Sequence, residues 1–197
     1  QWWGTDFNPA QVAYARQLSS AACSQAMLDE QSFADFCARD DLPPFAVIAL
    51  HGVWSWISDD NRHQIVELAR RRLLPGGVLY VSYNTPPGWS PMQPLRHLLV
   101  EHARSMSAPG CQTPDKMTAA IQFSEQLLAV EPLFAKANPA LAQRVKALGS
   151  QHPAYLAHEY MNADWVPMPF ADVARWLAPA KLNYAGSAQP LDYLDVL

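Results

Sequence analysis

The sequence predicts an α/β fold: a short parallel sheet with crossover helices over residues 1–90, then a largely helical segment over residues 91–197. Three observations carry this expectation. The run FAVIALHGV, bounded by Pro43-Pro44 and Gly52, is apolar without alternation, as a strand buried on both faces of a parallel sheet would be. A second such run, VLYVSYN, spans residues 78–84. Between them, residues 59–73 place Ile65, Leu68, Ala69 and Leu73 on one helical face, so the order is strand, helix, strand with the expected right-handed crossover.

Taken in order, residues 1–7 read as the end of a strand. Asn8 is then the N-cap of a helix, with Pro9 at its first position and Val12, Ala13 and Leu18 on its apolar side. Residues 21–30 hold the second strand, followed by a short helix with Phe33, Phe36 and Cys37 on one side. Arg70, Arg71 and Arg72 sit at the negative end of the 59–73 helix dipole, and Pro75-Gly76-Gly77 stops that helix. Beyond TPPGW the texture becomes helical. Leu95, Leu98, Leu99, His102 and Met106 recur at helical spacing, as do Ala120, Phe123, Leu127, Val130 and Phe134 within residues 117–134. Residues 138–148 form another capped helix. A last helix over 169–180 is expected to bury Phe170, Val173, Ala174 and Leu177, and residues 181–190 to return as an edge strand.

Composition limits the partners. The 197 residues are 50% hydrophobic and only 16% charged, with a net charge of −4, which leaves no basic surplus for a nucleic-acid backbone. Cys23, Cys37 and Cys111 are odd in number and have no CxxC spacing, so neither a disulfide framework nor a zinc site is indicated; a reducing cytoplasm fits. No apolar run reaches the roughly 18 residues of a membrane span. The chain opens on Gln1 inside a strand pattern, which is expected of a truncated piece.

In open α/β sheets ligands bind beyond the carboxyl ends of the strands. Those ends are Asp6, the stretch around Glu30, His51-Gly52, and Ser82 to Asn84. Asp6 has two oxygens able to accept ribose hydroxyls, or it helps to cap the helix at Pro9. Glu30 can accept from the amine of a base, with Ser32 offering a backbone donor and Phe33 a ring wall, or it is a solvated loop acid. His51 follows an apolar strand and Gly52 lets a ligand approach the backbone, although a satisfied core histidine fits as well. Trp54, Tyr83 and Trp89 follow strand ends and form either a rim or ordinary packing. Asn84, ahead of Thr-Pro-Pro-Gly, suits a rigid turn that presents its amide. The six histidines show no metal-ligand spacing, and neither GxSxG, GxGxxG nor GxxxxGK[ST] occurs.

GTDFNPAQV, FAVIALHGVWSWIS, LLPGGVLYVSYNTPPGW and YLAHEYMNADWVPMPFADVARWLAPAKLNYAGSA together resemble, across nearly the whole chain, a class I S-adenosylmethionine-dependent methyltransferase. The resemblance is to the bacterial group with a methyltransferase regulatory domain, some members of which are similar to protein-lysine methyltransferases. It implies an incomplete Rossmann-like sheet, S-adenosyl-L-methionine as cofactor, and a protein lysine or small molecule as methyl acceptor. By resemblance, Asp6 holds the ribose, Glu30, Ser32 and Phe33 line the adenine, and His51 and Gly52 lie under the methionine moiety. Tyr83 and Asn84 take the catalytic, acceptor-contacting places, with Trp54, Trp89, His158 and Tyr160 further out on the acceptor side. The family's first strand and its glycine-rich turn, expected about 20 to 30 residues upstream of Asp6, are absent from this sequence. Ala46 also departs from the acid common at the start of the fourth strand. Two other readings stand beside the transferase: a non-catalytic binding or regulatory module on the same scaffold, and a different nucleotide-using α/β enzyme such as a dehydrogenase. The oligomeric state is left open, a homo-oligomer included.

Overall fold

The computed structural model describes residues 1–108, 110–189 and 192, and for residues 153, 154 and 158 the backbone alone. It divides into two compact units: Gln1–Tyr83 together with Phe170–Leu197, and Asn84–Pro169.

The first unit carries the strands. β1 (Trp3–Asp6) leads into α1 (Pro9–Ala21), which starts where the Asn8 side chain accepts the Ala10 N–H at 3.0 Å. β2 (Met27–Glu30) pairs parallel with β1 in a register that puts Trp3 opposite Met27 and Asp6 opposite Glu30. α2 (Phe33–Ala38) is capped by Ser32, whose hydroxyl accepts the Asp35 N–H at 3.1 Å. β3 (Phe45–Leu50), α3 (Asp59–Arg72) and β4 (Leu73–Val81) form the second crossover, again with parallel pairing. The basic end of α3 does more than complement its dipole. Arg71 donates to the Cys37 carbonyl at 2.6 Å and Arg72 to the Asp40 carbonyl at 3.0 Å, tying α3 to the exit of α2 above a small core of Phe36, Cys37, Leu42 and Leu68.

Two expectations need correction. The four strands do not make one sheet: β1 pairs with β2 and β3 with β4, as two separate two-stranded parallel sheets. In a doubly wound order of 3-2-1-4-5 the pairs 3-2 and 4-5 do not touch each other and are joined only through a strand between them. The Pro75-Gly76-Gly77 stretch does not separate helix from strand either. The helix ends at Arg72 and the strand starts at Leu73, with the register slipping between Phe45 and Val47 so that Pro75, Gly76 and Gly77 form a bulge inside β4. The bulge needs glycine: Gly76 has φ 78°, and a Cβ on Gly77 would lie 2.9 Å from the Leu74 carbonyl oxygen.

The second unit is helical: α4 (Met92–Ser105), α5 (Thr113–Ala129), α6 (Leu133–Ala137), α7 (Ala140–Gly149) and α8 (Pro153–Met161). Leu95, Leu99, Met117, Ile121, Leu141 and Val145 interlock in its core. The buried face of α5 is rotated from the expected one. Met117, Ala120, Ile121, Ser124 and Leu128 point inward, while Phe123 and Leu127 are exposed and Val130, beyond the helix, is 74% exposed. Met106 is likewise exposed.

From Phe170 the chain rejoins the strand unit as α9 (Phe170–Leu177), followed by a 3-10 turn at Ala178–Ala180. Val173 is buried there, but Phe170 and Ala174 are exposed, against expectation. Residues 181–189 carry no strand, and residue 190 lies outside the described residues.

Candidate functional site at the strand ends

β1 and β2 end side by side, which brings together two of the expected ligand-binding acids. Asp6 and Glu30 are register partners at the carboxyl ends of neighbouring parallel strands, and both are exposed. Asp6 Oδ1 accepts the Asn8 N–H at 2.8 Å, so the helix-side reading of this residue holds for one oxygen. Oδ2 remains open to a ligand. The strand ends are laced together, as the Asp6 carbonyl accepts the Gln31 N–H at 3.2 Å and the Thr5 hydroxyl donates to the Gln31 carbonyl at 2.7 Å. The Ser32 hydroxyl is engaged with Asp35 as a helix cap, which leaves its backbone for other work; Phe33 is half-buried beside it.

Arg39, which the sequence reading did not single out, organises this corner. Its guanidinium donates to Asp29 at 2.5 Å and to both oxygens of Asp41 at 2.9 and 2.7 Å. It also lies 5.2 Å from the Trp3 ring centroid and 5.7 Å from that of Phe36. The hydrogen bonds from Arg39 hold the Asp41 carboxyl below its ordinary value. The signal was present in the Arg39-Asp40-Asp41 run directly after a short helix.

The end of the β3–β4 sheet gathers a second group. His51 is exposed, its Nδ1 lies 3.1 Å from the Tyr80 hydroxyl, and the two rings stack with centroids 6.0 Å apart. Gly52 adopts φ 63°, donates its N–H to the Ser82 hydroxyl at 2.6 Å, and faces open space where a Cβ would stand. A backbone that is pinned from below and bare above is what close approach by a ligand requires. His51 is thus an exposed strand-end histidine, not a core one.

The acceptor-side expectations fare differently. Trp54 is 0% exposed and belongs to the interior of the strand unit, where its carbonyl accepts from Arg62 Nε at 3.2 Å and Nη2 at 3.0 Å. It cannot stand on a rim. Tyr160 is 7% exposed within the helical core, and burial pushes its hydroxyl up to about 12. Both corrections have one cause: an aromatic that follows a strand or lies on an amphipathic helix serves packing first. Tyr83 is half-buried, and desolvation, then the nearby Tyr184, raises its pKa. Asn84 is 7% exposed and its backbone carbonyl accepts the Met168 N–H at 3.0 Å. Trp89 packs edge-on against Trp165 at 6.0 Å, and Arg96 lies 4.9 Å from the Trp165 ring while donating to the Asn162 carbonyl. The side chain of His158 lies outside the described residues. Among the described residues no three His, Cys, Asp or Glu side chains gather as metal ligands would, and no helix is long and apolar enough to cross a membrane.

Comparison with known proteins finds relatives in sequence and in fold. Residues 152–197 match the family model described as a predicted methyltransferase regulatory domain. The uncharacterized protein sll1526 of Synechocystis sp. is 39% identical over 198 residues, covering 100% of this chain and 38% of that protein. The uncharacterized protein RP028 of Rickettsia prowazekii is 27% identical over 165 residues, covering 81% of this chain and 62% of that protein. Among solved structures, PKMT2 from Rickettsia typhi in complex with AdoHcy superposes with a TM-score of 0.72 at 25% identity, over 94% of this chain and 35% of that one. A second structure of PKMT2 from Rickettsia typhi gives a TM-score of 0.71 at 25% identity, over 93% of this chain and 34% of that one. The chain therefore spans less than two thirds of the length of each of these relatives. In fold it is methyltransferase-like, with residues 152–197 matching the predicted methyltransferase regulatory domain.

Proposed function

We propose that this chain is part of a cytoplasmic S-adenosyl-L-methionine-dependent methyltransferase that acts on an amine, with a protein lysine as the acceptor. The observation that carries this reading is the fold likeness, over 94% of the chain, to PKMT2, a protein solved with AdoHcy. The residues at the strand ends fit such a nucleoside. Asp6 keeps one carboxylate oxygen for the ribose hydroxyls while the other anchors α1. Glu30, level with it on β2, faces the same end of the sheet, and Phe33 supplies an apolar wall for a base. His51 and the bare backbone of Gly52 would lie under the amino-acid moiety.

When bound, the cofactor supplies an electrophilic methyl on a sulfonium, so no metal is needed for the transfer. What remains for the protein is alignment and the removal of a proton from the acceptor. Tyr83 suits alignment. Its pKa is raised above the ordinary 10.0, so at neutral pH the phenol stays protonated and acts as a hydrogen-bond donor, not as a base. Asn84 would accept a hydrogen bond from the acceptor amine through its side-chain oxygen. Both assignments follow from the sequence resemblance.

The test is transfer of a labelled methyl group from S-adenosylmethionine to a lysine-bearing protein by the full-length protein. Tyr83→Phe and Asn84→Ala are each expected to lower kcat by roughly tenfold or more, as the loss of a transition-state contact does. Turnover untouched by either change would remove both from the acceptor site. Cofactor binding with no turnover on any amine acceptor would replace the transferase with a binding module.

A further inference from the structure

We infer that Trp176, which lies within the regulatory-domain stretch, is a positioning residue for the turn that follows β3, acting through Arg62 and Trp54 on the backbone at Gly52. The inference rests on the proposed cofactor role of His51 and Gly52, and it gives residues 170–177 a task at that site.

Arg62 is 1% exposed, yet it carries a full charge into the interior of the strand unit. It is held on two sides. Nε and Nη2 donate to the Trp54 carbonyl at 3.2 and 3.0 Å, and Nη1 donates to Asp59 at 2.5 Å. Its Cζ also stands 5.9 Å from the Trp54 ring centroid and 5.9 Å from that of Trp176, so the guanidinium and the two indoles form a compact triangle. Trp176 meets Trp54 edge-on at 6.3 Å with an interplanar angle of 83°, and its other neighbour on α3 is His63 at 4.7 Å.

The Trp54 indole N–H is buried and has no hydrogen-bond partner among the described residues. No directional bond therefore fixes this ring; packing against Arg62 and Trp176 does. Trp54 opens the 3-10 turn Trp54–Trp56, two residues beyond Gly52. That turn is fastened to α3 through the Trp54 carbonyl. Removing Trp176 takes away one of the two indoles beside the guanidinium, admits water to Arg62, and weakens its hold on the Trp54 carbonyl. The consequence falls on the backbone just after His51 and Gly52. Residues 170–177 would then influence the strand-end site through the interior of the unit, without touching a ligand.

The test is amide hydrogen exchange on the full-length protein in four forms: wild type, Trp176→Ala, Trp176→Phe, and Leu42→Ala as a control. Leu42 belongs to the separate cluster with Phe36, Cys37 and Leu68, so its truncation costs stability elsewhere in the same unit. Trp176→Ala is expected to speed exchange at residues 53–57 by roughly tenfold, Leu42→Ala to leave those amides unchanged at matched stability, and Trp176→Phe to restore most of the protection. S-adenosylhomocysteine affinity should fall several-fold in Trp176→Ala and not in Leu42→Ala. If Trp176→Ala does not fold, Trp176→Leu, which keeps bulk without an aromatic face, takes its place. Unchanged exchange at 53–57, or equal acceleration by Leu42→Ala, would overturn the inference. A wild-type protein that does not bind S-adenosylhomocysteine would instead remove the cofactor reading, leaving the exchange comparison to judge the positioning role alone.

Discussion

In the helical unit Leu99, Met117 and Ala120 are all 0% exposed, whereas in the strand unit Val47 and Val78, register partners on β3 and β4, stand 53% and 51% exposed. The helices close a core by themselves. The strands do not: β3 reads in sequence as buried on both faces, and parallel sheets are stable when both faces are covered, but one face here carries apolar side chains into solvent. The residues expected to hold the cofactor lie on the unit that is less closed. Asp6, Glu30, His51 and Gly52 all sit at its strand ends, while Tyr160, one of the two acceptor-side aromatics of the helical unit, proves to be core.

The sharpest way to break this contrast is to cut into the closed core. Leu99→Ala, at a fully buried position packed in the helical cluster, is expected to cost about 2–5 kcal/mol by chemical denaturation. A cost below about 1 kcal/mol would mean that the helical core is as loose as the exposed strand face.

Alkaline pH probes the small core of the strand unit. Burial pushes the Cys37 thiol from an ordinary 9.0 up to about 11, partly offset by Arg71. A raised folded-state pKa means that the native state holds its proton longer than the unfolded chain. The contribution is therefore fully present below pH 9 and lost as pH rises through 11, on the order of 2 kcal/mol in all. Denaturant midpoints across that range should fall in the wild type and fall less steeply in Cys37→Ala. Equal slopes would show that the thiol is hydrated in the native state.

The smallest effect belongs to the open face. Val47→Thr removes an apolar surface that is already half in water, so stability of this chain should change by no more than about 0.5 kcal/mol. A loss comparable to that of Leu99→Ala would mean that the face is covered in solution.

Much of the strand unit was legible because its signals are local. The Asn8-Pro9 start of α1, the unbroken apolar run of β3, and the acids at the ends of β1 and β2 each depend on a few adjacent residues. What escaped depends on partners far along the chain. Pro75-Gly76-Gly77 has the composition of a helix stop and of a bulge alike, and only pairing with β3 makes it a bulge. Ala120 belongs to two different stripes of α5, so periodicity alone did not choose the one that meets α4, α7 and α8. Trp54 looked like a rim aromatic because the cation that draws it inward, Arg62, lies eight residues on, and the second indole, Trp176, lies at the other end of the chain. Tyr80, which holds His51, was hidden inside a strand that reads as apolar, and Ser82, a strand-end residue by sequence, gave no sign that its hydroxyl would hold the Gly52 N–H.

The central claim is that the paired carboxyl ends of β1 and β2 hold the nucleoside half of S-adenosylmethionine. Calorimetric titration of S-adenosylhomocysteine into the full-length protein and its Asp6→Asn variant tests it directly. The amide can still accept the Asn8 N–H but loses the charge and one acceptor oxygen offered to a ribose, so affinity should fall by roughly tenfold or more. Equal affinity in the two proteins would contradict the account.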